Sequence, residues 1–169
     1  SQIIELNIPV VLAINMMDIA SEQGKRIDLK KISDYFDVPV TGISARKGSG
    51  ISDLIEEIDK GGKTSQKALF NQGEHQQILD ETKGYLTFES AYMQFKQFNN
   101  LEAFADVTSR DKIEKIFEER GYEPIKSELL EINNRAELIN EVAKDFISET
   151  KPEQINRTER IDRYVTHPF

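Results

Sequence analysis

Two short stretches carry residue types that could read a nucleobase: Asn15-Met16-Met17-Asp18, and Ser44-Ala45-Arg46. An Asp carboxylate held at the mouth of a strand can accept two hydrogen bonds from the guanine edge, from N1–H and from the exocyclic amine. A backbone N–H of the Ser44-Ala45 turn can then donate to O6. Adenine offers neither donor in that place, so it would leave the carboxylate and the amide unpaired. A site built around such hydrogen bonds rejects the wrong ligand by on the order of 10⁴-fold.

Alone, Asn-x-x-Asp is the everyday chemistry of turns and caps. Position changes its weight. Asn15 ends the apolar, β-branched run Ile8-Pro9-Val10-Val11-Leu12-Ala13-Ile14, and Ser44 ends a second run, Val38-Pro39-Val40-Thr41-Gly42-Ile43. Residues 8–14 read as a strand buried on both faces of a parallel sheet. Pro39 belongs at the start of the second strand, where its missing N–H is tolerated. Between them, Asp28 is placed to cap a helix with Leu29, Ile32, Tyr35 and Phe36 on one face. After Gly48 and Gly50, residues Ile51, Leu54, Ile55 and Ile58 repeat at helical spacing. Strand, helix, strand, helix is a βαβα unit, and such units bind ligands at the carboxyl ends of their strands. Both stretches sit at those ends.

From Gly61-Gly62 onward the pattern becomes helical. Residues 63–73 read as a polar linker in which Ala68-Leu69-Phe70 packs back. Ile78, Leu79, Tyr85, Leu86, Tyr92, Phe95 and Phe98 predict one long or two successive helices. Ile113, Ile116 and Phe117 mark another helix, closed by Gly121 with Pro124 beyond. Leu138, Ile139, Val142, Ala143, Phe146 and Ile147 form a further stripe ending before Pro152, and a last helix is expected over Thr158 to Val165. The expected fold class is therefore α/β plus all-α. Its divisions fall at residues 1–62, 63–156 and 157–169.

The 169 residues carry 30 acidic and 22 basic side chains, a net charge of −8, which argues against a nucleic-acid platform. There is no cysteine, so disulfides, thiolate metal sites and Cys nucleophiles are excluded. No apolar stretch reaches the ~20 residues needed to span a bilayer. The chain starts without Met in the helix-like stub Gln2-Ile3-Ile4-Glu5-Leu6, which reads as a cut end.

Several other patterns mimic sites. Gly61-Gly62-Lys63-Thr64 looks like the tail of a phosphate-binding loop, but the first Gly of that motif falls at Glu57. Asp59-Lys60-Gly61-Gly62 mimics the Asp-x-x-Gly element of GTPases without a preceding strand. Both read as the end of a helix. Glu128 and Glu131 lie one helical turn apart and could hold a cation, although a solvated helix face is the better reading in so acidic a chain. His75 and His167 have no evident ligand partners and read as structural or surface residues. Arg157, Arg160 and Arg163 fit equally an amphipathic helix and a segment facing anionic lipid.

In these motifs the chain resembles the bacterial ferrous iron transport protein B family, membrane transporters with a cytosolic GTPase domain. The resemblance rests on Ile8 through Ala20, where Met16 stands in the place that most GTPases fill with Lys. It continues through Val38-Pro39-Val40 and Ile43-Ser44-Ala45-Arg46-Lys47-Gly48-Ser49-Gly50-Ile51. It returns at Arg160-Ile161-Asp162-Arg163-Tyr164-Val165-Thr166-His167. The middle matches only loosely, with Arg135-Ala136-Glu137-Leu138-Ile139 as its best anchor.

The resemblance implies the C-terminal part of a P-loop GTPase-like parallel sheet followed by a helical bundle. It implies a nucleotide site at Asn15, Met16, Met17 and Asp18 with Ser44 and Ala45, and with Arg46 flanking the base. It implies no catalytic and no metal residue within this stretch. GTP or GDP would bind weakly or not at all here, with Mg²⁺ held only by an intact GTPase domain. The implied partners are the upstream half of the GTPase domain and a downstream transmembrane domain, on the cytoplasmic side of the membrane. Self-association through an open sheet edge is also expected. Two other readings stand beside this one: a helical adaptor module with an incidental βαβα cap, and a fragment of a soluble ribosome-linked GTPase.

Overall fold

The computed structural model describes residues 2–88 and 90–149. In chain order its elements are β1 (Leu12–Ile14), α1 (Met17–Glu22), β2 (Lys25–Ile27), α2 (Leu29–Phe36), β3 (Val40–Gly42) and α3 (Ile51–Asp59). Then come α4 (Gln76–Thr82), α5 (Ala91–Gln97), α6 (Leu101–Phe104), α7 (Val107–Arg120), α8 (Pro124–Phe146) and β4 (Ile147–Glu149). They group into two units. One holds Val11–Gly62 with residues 142–149, and the other holds Lys63–Glu141 with residues 2–10. The first therefore joins a segment from near the end of the described chain, and the second a segment from its start. The segment expected as a last helix, with Arg157, Arg160, Arg163 and His167, lies outside the described residues.

In the first unit β1 and β3 pair in parallel, with Leu12 opposite Val40 and Ile14 opposite Gly42. Pro39 sits just ahead of this pairing and offers its carbonyl to Leu12 N–H at 2.9 Å, the place a residue without a donor can occupy. The run 8–14 is less of a strand than its composition predicts. Only Leu12–Ile14 forms a ladder, and Ile8 is 45% exposed. β1 has a single ladder partner, β3, among the described residues. The α2 helix forms as expected. Asp28 Oδ1 accepts the Lys31 N–H at 3.0 Å, while Ile32 and Phe36 turn inward. Tyr35 and Phe36 then pack against Phe146.

One pairing was invisible in the sequence: β2 runs antiparallel to β4, with Ile27 opposite Ile147. Lys25-Arg26-Ile27 is too short and charged to show an alternating pattern, and Ile147 seemed to continue a helical stripe.

At the end of α3, Gly61 N–H bonds Ile58 O and Gly62 N–H bonds Glu57 O, both glycines having positive φ. That is a helix C-terminus closed by left-handed residues. The two glycines thus end a helix instead of opening one. Lys63 then makes a backbone bridge to Val10.

The second unit packs around Phe70, Ile78, Leu79, Tyr92, Phe95, Phe98, Ile113 and Phe117. Two separate short helices, α4 and α5, carry Ile78, Leu79, Tyr92 and Phe95 of the expected stripe; Tyr85 and Leu86 lie between them, and Phe98 follows α5. Phe70, from the expected linker, is a core residue, and His75 stacks on it with ring planes 3° apart. The α7 helix starts under an Asp106 cap and closes at Gly121 in the left-handed region. Pro124 opens α8, where the missing N–H costs nothing.

The α8 helix also corrects the reading of Glu131 as part of a solvated face. Glu131 is buried, pairs with Arg135, and shares that guanidinium with Glu5. Glu5 Oε1 accepts the N–H groups of Leu69 and Phe70, and Arg135 lies over the Tyr92 ring at 4.9 Å. A carboxylate enters a core at tolerable cost only when it is paired in this way. Glu128 is drawn off separately, to Lys96 and Asn99.

Candidate guanine-recognition site

The carboxyl ends of β1 and β3 lie side by side because the two strands are parallel neighbours, and that register brings Asn15 beside Ala45. Ile43 N–H bonds Ile14 O at 2.8 Å, and Met17 N–H bonds Ile43 O at 3.1 Å, which carries the pairing one step past the ladder. Met16 then takes a left-handed conformation, φ 63°, and turns the chain into α1. Its side chain stays 60% exposed. Met17 points the other way: a Cβ on Gly42 would meet Met17 Cγ at 3.2 Å and Leu29 Cδ1 at 2.9 Å. Of the paired methionines, Met16 faces solvent and Met17 packs beside the strand.

Asn15 Oδ1 accepts two backbone N–H groups, from Met16 at 2.7 Å and from Ala45 at 3.2 Å. One side-chain oxygen thus ties the two stretches together. Asp18 stands in the first turn of α1 with its side chain only 8% exposed. Its Oδ2 receives Arg46 Nη2 at 3.0 Å and Lys47 Nζ at 3.5 Å. The Ser44 hydroxyl beside it acts most strongly to lower the Asp18 pKa. Against desolvation, but with help from the Arg46 guanidinium, the Ile19 N–H and the Lys47 ammonium, the carboxyl is held down to about 2. Ser44 Oγ itself is buried and forms no hydrogen bond of ordinary geometry among the described residues.

The turn after Ser44 is closed on itself. Ser44 N–H bonds Ser49 O at 3.0 Å, and Lys47 N–H bonds Ser44 O at 3.1 Å. Gly48 and Gly50 both have positive φ. The structure therefore brings together Asn15, Asp18, Ser44, Ala45 and Arg46, and adds Lys47, which the sequence motifs did not single out. A basic residue following Arg46 was visible. What could not be read was that both cations would fold back onto Asp18.

Among the described residues no group of three or more His, Asp or Glu side chains could hold a metal ion, and no helix is long and apolar enough to cross a membrane.

The family model for ferrous iron transport protein B matches residues 1–58. The Fe(2+) transporter FeoB of Staphylococcus aureus (strain COL) is 25% identical over 99% of the chain. That of Salmonella typhimurium is 41% identical over 59 residues, or 35% of the chain. The chain spans about a quarter (27%) of the length of the Staphylococcus relative. Among solved structures, a GDP-bound mutant of the S. thermophilus FeoB G-domain is 30% identical with a TM-score of 0.63, covering 87% of this chain and 62% of that one. The mGMPPNP-bound S. thermophilus protein is likewise 30% identical, with a TM-score of 0.64 and coverage of 89% and 61%.

Proposed function

We propose that this chain, a relative of the cytosolic portion of the ferrous iron transport protein B family, carries the base-reading half of a guanine-nucleotide site and the helical region that follows it. The observation that carries the reading is the Asn15–Ala45 hydrogen bond with Asp18 alongside. It holds a carboxylate and a backbone amide at the carboxyl ends of neighbouring parallel strands, where such folds bind ligands. The solved relatives that hold GDP or mGMPPNP support guanine nucleotide as the ligand.

In this reading Asp18 accepts from guanine N1–H and the exocyclic amine. The Ser44-Ala45 turn donates to O6, Arg46 flanks the ring, and Met16 and Met17 set the turn that aims Asp18. The phosphates and Mg²⁺ would be held elsewhere, in an upstream half of the domain. The parent protein in this reading is a GTP-dependent ferrous iron transporter that spans a membrane, with this stretch on its cytoplasmic side. Chain order supports a relay from the turn after Ser44 through α3 into the helical unit. In this scheme residues 1–62 belong to the GTPase domain, 63–156 to a helical spacer, and 157–169 to a juxtamembrane segment. The exposed edge of β1 gives this stretch alone a surface for self-association.

Calorimetric titration of this chain with GDP and GTP, alongside a phosphate-release assay, tests the division of labour. We expect very weak binding and no hydrolysis. Micromolar affinity or turnover would show that the chain holds the phosphates too.

A further inference from the structure

Both groups expected to read the base are turned onto the protein itself. The Asp18 carboxylate, 8% exposed, is paired with Arg46 and Lys47, whose side chains are 70% and 51% exposed. The Ala45 N–H is given to Asn15 Oδ1. Lys47 has a second anchor in Glu22 Oε1 at 3.3 Å. The turn bearing the cations is short and internally bonded, and both contact the same carboxylate oxygen, Oδ2. Guanine N1–H and the exocyclic amine need that same carboxylate.

We infer that Arg46 and Lys47 form a self-cap on Asp18, which a guanine must displace, so that the cap lowers the apparent affinity of the site. The inference rests on the proposed guanine reading of the Asn15–Asp18 and Ser44–Ala45 stretches. A base with two adjacent donors replaces what the cations gave the carboxylate. A base without them leaves Asp18 better satisfied by its own turn and is rejected before it docks. Ion pairs with exposed partners are weak, so the two contacts lower the open fraction, and with it the apparent affinity, only several-fold.

The test uses nucleosides, whose binding owes nothing to phosphate charge. Guanosine and adenosine are titrated into the chain and into the Arg46→Gln/Lys47→Gln variant, following the Asp18 and Ala45 amide resonances. Both replaced side chains are exposed, and the dispersion of the remaining resonances reports that the variant is folded. Removing the cap should tighten guanosine binding by about two- to fivefold. Raising NaCl from about 0.05 to 0.5 M, which shortens the screening length, should strengthen guanosine binding to the unmodified chain and leave the variant unmoved. Equal or weaker guanosine affinity in the variant, with guanosine still preferred to adenosine, overturns the cap and leaves the base reading standing. No preference for guanosine in either protein removes the base reading and the cap together.

Discussion

A Cβ on Gly50 would stand 2.2 Å from the carbonyl oxygen of Gly42, closer than any side-chain carbon can approach. Gly50 also has φ +75°, a conformation that disfavours other residues. This glycine lets the turn after Ser44 fold tightly over the end of β3 and enter α3. Gly50→Ala should cost about 2–4 kcal/mol, from left-handed strain plus steric displacement. Urea denaturation followed by circular dichroism would show it as a lower midpoint. An unchanged midpoint would mean that the turn has room the structure does not give it.

Among the described residues Arg135 is the cation shared by the buried carboxylates of Glu5 and Glu131. Arg135→Ala would leave two carboxylates buried without it, a loss of about 3–5 kcal/mol. Differential scanning calorimetry should record a markedly lower Tm. A shift no larger than that of an exposed substitution would show that the network carries no stability.

Core and surface isoleucines should separate sharply. Ile113 is completely buried between helices, while Ile125 is 72% exposed. Ile113→Ala should cost about 2–5 kcal/mol through lost burial and a residual cavity. Ile125→Ala should stay within about 0.5 kcal/mol. Equal losses from both would contradict the placement of the core.

The Asp18 carboxyl, lowered from 3.8 to about 2 by the Ser44 hydroxyl first and then by Arg46, the Ile19 N–H and Lys47, gives a pH signature. A depressed folded-state pKa adds stability that is present above the unfolded value and lost as pH falls through the folded one. The window therefore runs from about pH 4 down to about 2. The Asp18 side-chain carboxyl resonance should titrate near the lower limit. A midpoint near 4 would show that the contacts with Ser44, Arg46 and Lys47 are not maintained in solution.

Much of the α/β unit was legible because its signals are local. Asp28 capping α2, Gly50 opening α3 and the glycine pair closing it are each decided by a few adjacent residues. The site motifs were legible for the same reason, since strand ends place them. What could not be read depends on distant partners. Lys25–Ile27 becomes a strand only because Ile147–Glu149 arrives beside it. Glu131 goes inside only because Arg135 and Glu5 meet it there. The run 8–14 looked fully buried because composition records what a strand can pack against, not how many neighbours it has. Lys47 carries no motif signal, because its contact with Asp18 depends on how the turn folds back.

The most direct test of base recognition is Asp18→Asn. Nuclear magnetic resonance titrations would compare guanosine and xanthosine with the unmodified chain and the variant. Guanine presents donors to a carboxylate, whereas xanthine presents a carbonyl at C2, so the amide should favour xanthine. The account predicts that the unmodified chain prefers guanosine and that the variant loses about tenfold or more of that preference, turning toward xanthosine. Base selectivity unchanged by Asp18→Asn would contradict it.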